Sequence, residues 1–142
     1  MEINLASKYQ VLEIVEKERL IGVMNTTKWN ALFNELNEID ELVRFRCTYI
    51  DGSTWPDEEA SFPFTSELAQ VWGNFIALEF IDIDARISHS SGALLNPKII
   101  DHKQKVIDIC QSTHAKFSLI DNGVRIYGYF RQGNEPNLYS HT

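Results

Sequence analysis

Apolar residues recur along this chain with two different periods. In residues 27–39, Trp29, Leu32, Phe33, Leu36 and Ile39 follow the i, i+3, i+4, i+7 spacing of one helix face. Asn25, Thr26 or Thr27 supplies the N-cap. A weaker helical repeat of Val11, Leu12 and Val15 runs through residues 7–20 and stops at Ile21-Gly22-Val23. Residues 42–50 switch to period two: Val43, Phe45, Cys47 and Tyr49 point one way, Arg44, Arg46 and Thr48 the other. That is a half-buried strand. Residues 75–83 are apolar on both faces and predict a central strand. Asp101 is expected to cap a helix over 102–113, with Gln104 in the capping-box position and Val106, Ile109, Cys110 and Thr113 on its inner stripe. Lys116–Ile120 and Val124–Phe130 flank Asp121-Asn122-Gly123, whose residues tolerate positive φ, and predict a β-hairpin.

These elements define an α+β fold: an antiparallel sheet of about four strands with two or three helices packed mainly on one face. Residues 1–23 are expected to form a helical appendage, 24–130 a single domain, and 131–142 a polar, frayed tail. A short helix over 65–72, opened by Thr65, follows Phe62-Pro63-Phe64. Phe45, Cys47, Ile126 and Phe130 are expected to share a core with Val106 and Ile109.

Composition narrows the class. The chain has 142 residues, 44% hydrophobic and 23% charged, which excludes a disordered or low-complexity protein. It contains no apolar run long enough to cross a membrane and no signal-peptide pattern, so a cytoplasmic location is expected. The formal net charge is −7, and residues 1–84 hold 16 acids against 6 bases. A net-acidic domain is poorly suited to nucleic acid, whose binding rests on phosphate neutralisation. It suits a basic protein partner, or the charge simply serves solubility. Cys47 and Cys110 lie far apart, without metal-ligand spacing, and read as buried reduced thiols.

Candidate chemistry is sparse. One sheet face combines Arg44, Arg46, Arg125, Tyr127 and Tyr129, with Glu79 as a further candidate. Arg and Tyr are enriched in protein interfaces, although any alternating strand produces such a face. Trp55, beside Pro56 and the acidic run Asp57, Glu58 and Glu59, is either a core ring or an exposed interface anchor. Asp82 and Asp84 share a strand face, with His89 following, as in a Mg²⁺ site or simply a strand end entering solvent. No phosphate-binding loop, nucleophile elbow or cofactor motif is present, so no cofactor is expected.

Three stretches carry a resemblance: Asn25-Thr26-Thr27-Lys28-Trp29, Leu78-Glu79-Phe80-Ile81-Asp82-Ile83, and Gly123-Val124-Arg125-Ile126-Tyr127-Gly128-Tyr129. Together they resemble a family of small bacterial proteins of unknown function, whose patterns are T-K-W, I-E-W-x-[DE]-I and G-x-I-R-I-[WY]-G-Y. The match spans residues 24–130 and departs from the pattern at Phe80, where Trp is usual. The resemblance transfers no catalytic residue. Small acidic proteins of this kind are similar to immunity proteins encoded beside toxins. The expectation is therefore a non-enzymatic binding protein that occludes a basic toxin. The alternatives are a small metal-assisted hydrolase using Asp82, Asp84 and His89, or a regulatory domain binding a small anion through Arg44, Arg46 and Arg125.

Overall fold

Cross-strand pairing organises the molecule. A computed structural model describes residues 8–39, 43–56, 75–89 and 98–139. Within them run α1 (Lys8–Lys17), β1 (Leu20–Gly22), α2 (Thr26–Asn37), β2 (Arg44–Tyr49), β3 (Thr54–Trp55) and a 3-10 turn (Phe75–Ala77). Then follow β4 (Leu78–Asp84), β5 (Arg86–His89), β6 (Lys98–Asp101), α3 (Lys103–Ser112), β7 (Phe117–Ile120), β8 (Gly123–Tyr127) and β9 (Tyr129–Arg131). The protein is α+β, with a five-stranded sheet in the order β3-β2-β4-β8-β7 and two two-stranded ribbons, β1-β9 and β5-β6. All the pairings are antiparallel. The acidic run at 57–59, Phe62-Pro63-Phe64, the helix expected over 65–72, Trp72 and the turn at 90–92 lie outside the described residues.

The core forms where the strand alternation meets the helix stripes. Phe45 and Cys47 of β2, Ile81 and Ile83 of β4, and Val124 and Ile126 of β8 are buried against Trp29, Leu32, Phe33 and Leu36 of α2 and Val106 and Cys110 of α3. Asn25 caps α2, its side-chain oxygen accepting the Lys28 N–H at 2.8 Å. The start of α3 differs from expectation. His102 holds the N-cap position, and Asp101 takes the Lys103 N–H at 2.9 Å. Gln104 bonds forward to Asp108 and forms no capping box. The inner stripe of α3 is also shifted: Ile107 is buried and Ile109 only half-buried, so the face packed on the core centres on Val106, Ile107 and Cys110.

Two glycines in the last hairpin permit unusually close backbone contact. A Cβ on Gly123 would stand 1.7 Å from the Ile83 carbonyl oxygen, and one on Gly128 2.2 Å from that of Leu78. The β7–β8 turn is the pair Asp121 and Asn122, neither of which takes positive φ. Gly123 is thus required by its neighbour across the sheet, and the turn makes no demand on it.

Residues 8–23 contribute to the same core. Val11 and Leu20 are buried there, β1 pairs with β9, and the Val23 N–H donates to the Gly128 carbonyl at 2.9 Å. Leu12, by contrast, is exposed. At the other end, the Tyr139 N–H donates to the Phe117 carbonyl at 2.8 Å, and its ring stacks on Phe117 at 5.1 Å. A protein beginning at Met24 is expected to fold with roughly 3–6 kcal/mol less stability, from losing buried Val11 and Leu20. Urea denaturation checks this, and an unchanged midpoint would show that α1 and β1 carry none of the stability.

Candidate functional site

The sheet face turned away from α2 and α3 carries ordered charge pairs. Register sets Arg44 opposite Asp84, Asp82 opposite Arg125, and Phe80 opposite Tyr127. Antiparallel residues directly opposite share a face, so these side chains meet. Arg44 forms an ion pair with Asp84. Arg125 grips Asp82 with two bonds, Nε to Oδ1 at 2.7 Å and a terminal nitrogen to Oδ2 at 3.0 Å. These hydrogen bonds hold the Arg125 guanidinium above its ordinary value. Its carbon also lies 4.1 Å over the Phe80 ring.

A bulge re-aims the middle of β4. The register steps from Thr48↔Phe80 to Tyr49↔Leu78, leaving Glu79 as an extra residue. Glu79 would otherwise share the core face of Ile81. Instead it accepts two bonds from Arg131, at 2.7 and 3.1 Å, which raise that guanidinium above its ordinary value. A second break, at Gly128 between β8 and β9, turns Phe130 out of the core. Phe130 was expected there by alternation with Ile126. Its ring stands 5.6 Å from Tyr127, close to edge-on. The Tyr127 hydroxyl is in turn held by Ser118 at 3.0 Å. Tyr129 donates to the Ile76 carbonyl at 2.6 Å, and burial raises its hydroxyl above the ordinary value.

These groups line a hollow of about 280 Å³, closed on one side by Asn134, Glu135 and Pro136. Of the residues singled out from the sequence, Arg125, Tyr127, Tyr129 and Glu79 come together in it. Arg44 and Arg46 lie on β2, across β4 from it. Trp55 is elsewhere: it opposes Cys47 on edge strand β3, packs against the core, and buries its indole N–H without a partner among the described residues. Asp57, Glu58 and Glu59 lie outside the described residues. Phe130 and Arg131 are additions that strand alternation alone missed, because both lie beyond the break at Gly128; Phe80 is a further addition, placed on the outer face by its regular register opposite Thr48 and Tyr127.

Asp82 and Asp84 are each engaged by an arginine, and His89 lies on the separate β5-β6 ribbon. Among the described residues, no three His, Cys, Asp or Glu side chains are grouped to hold a metal ion. The thiols offer no nucleophile at neutral pH, since burial pushes Cys47 and Cys110 from 9.0 up to about 12. Both raised values favour the protonated folded state. The stability they lend is therefore present below pH 9 and lost as pH rises from 9 toward 12. Denaturation at pH 8 and pH 10 is expected to differ by about 1.4 kcal/mol per thiol. A flat profile over that window would contradict the burial of both.

The fold and face define an α+β protein whose sheet presents paired charges and aromatic rings on one side. The chain belongs to the Family of unknown function (DUF6678), whose model matches residues 11–133. No curated protein and no solved structure gives a match. No helix among the described residues is long and apolar enough to cross a membrane.

Proposed function

We propose that this is a non-enzymatic binding protein of the bacterial cytoplasm, of the immunity or antitoxin type, that occludes a basic toxin. The observation that carries this reading is the outer sheet face, where Phe80, Tyr127, Phe130 and Arg125 stand half-buried around one hollow while α2 and α3 pack on the opposite side. Half-buried aromatics and arginines in a concave setting are what protein interfaces use as anchors. The charge of −7 supports a basic partner by steering its approach. Asp57, Glu58 and Glu59 would add to that steering through their charge.

The test is co-expression with the product of the neighbouring gene. That product is expected to arrest growth alone, to be neutralised by this protein, and to elute with it as one complex. Association should slow as salt rises, since screening at 0.15 M limits exposed charges to about 8 Å. Neutralising Asp57, Glu58 and Glu59 together should lower the on-rate more than it raises the off-rate. A harmless neighbour that forms no complex would remove the reading.

A further inference from the structure

The hollow on the outer face has a ligand preference that its ion pairs reveal. Arg125 and Arg131 line it, yet neither is available to an anion. Each spends its fork of donors on a carboxylate of the same sheet, Asp82 and Glu79 respectively. An incoming anion would meet those carboxylates. With the two pairs cancelled, Glu135 remains, and among the described residues it has no cationic partner. Its one described bond is from the Gly133 N–H at 3.4 Å.

The rest of the lining is aromatic. Tyr127 stands between Phe80 at 6.1 Å and Phe130 at 5.6 Å, with the rings inclined at 60° and 71°. Phe80 already carries a guanidinium, that of Arg125. The chain itself thus shows the pairing that these rings support. The segment bearing Glu135 lines the same hollow and is tied at both ends, by Arg131 on Glu79 and by Tyr139 on Phe117.

We propose that this hollow receives an arginine side chain of a basic protein partner, its guanidinium laid against Tyr127 and Phe130 and its charge met by Glu135. Cation–π attraction and a nearby carboxylate act on the same group, and a planar guanidinium stacks on a ring where an ammonium does not. This rests on the reading of the outer face as a protein-binding face and names the chemistry of its anchor.

The probe is a blocked Gly-Ser-Arg-Ser-Gly pentapeptide, titrated against the whole protein and followed by NMR. Saturable shifts are expected at Phe80, Tyr127, Phe130 and Glu135. The same peptide with Glu in place of Arg should leave them unmoved. Glu135→Gln, at an exposed position, and Phe130→Leu should each weaken binding roughly fivefold. Glu35→Gln, an equal charge change on α2, should not. Absent or scattered shifts, equal binding of the Glu peptide, or an equal effect of Glu35→Gln would overturn the proposal. Failure can be separated from failure of the broader reading. If the neighbour-encoded protein binds but its off-rate ignores both Glu135→Gln and Phe130→Leu, the arginine seat falls and the protein-binding reading stands.

Discussion

Gly128→Ala is expected to destabilise the protein by about 3 kcal/mol, the upper end of what overpacking costs. The added Cβ would sit 2.2 Å from the Leu78 carbonyl oxygen and 3.2 Å from the Trp29 ring. The first contact is with backbone, and that backbone is fixed. The Gly128 N–H donates to the Glu79 carbonyl at 2.7 Å, and the Gly128 carbonyl accepts from Val23 at 2.9 Å. Relief requires β4 and β8 to part at the Glu79 bulge, which loosens the ion pair with Arg131 and the hollow together. For a domain of this size the melting temperature should fall by roughly 6–12 °C. A melting temperature within 2 °C of the parent would show that the strands separate freely there, and that the bulge is not held as described.

The same locus shows why part of the fold was legible from the sequence and part of the site was not. Alternation in Arg44–Tyr49 and the stripe of Trp29, Leu32, Phe33 and Leu36 are local patterns, and each describes its own element correctly. So does the hairpin, with its two runs around Asp121 and Asn122. Bulges and breaks are decided elsewhere. Glu79 turns outward because Thr48 and Tyr49 shift register against β4, and nothing in Leu78–Ile81 announces that. Phe130 leaves the core because Gly128 is pressed against Leu78, which is a contact fifty residues distant in the chain. The glycines were visible in the resemblance to the family pattern, but their role was not. Gly123 looked like a turn residue and is in fact a point of strand contact.

Function is legible to a smaller depth for a related reason. Arg44 and Arg125 read as a basic face when each strand is taken alone. Asp82 and Asp84 likewise read as an acidic pair. Only the register sets them against each other, which converts two candidate sites into a set of cross-strand ion pairs. Such partly exposed pairs contribute modestly to stability. Their clearer consequence is to order Arg125 over Phe80 and so to shape the wall of the hollow.

Trp29→Ala should be the most damaging single truncation, costing about 3–5 kcal/mol. Trp29 is 1% exposed. Its ring stacks on Phe75 at 5.7 Å and meets Phe33 edge-on at 6.1 Å, so its removal opens a cavity between α2 and the 3-10 turn that leads into β4. Stabilities of natural domains are about 5–15 kcal/mol, so the loss is a large share of the whole. Chemical denaturation measures it, and a cost below 1 kcal/mol would mean that the aromatic cluster does not join helix to sheet. The double variant with Gly128→Ala sharpens the argument, because the two positions touch. Contacting sites are not additive in general. Here the dominant clash of Gly128→Ala is with the Leu78 carbonyl, and the indole lies a full ångström further away. Removing the indole should therefore recover only a small part of the glycine variant's cost. Recovery of most of it would place the constraint at the Trp29 ring, and the close approach of β8 to β4 would then lose its role in holding the bulge.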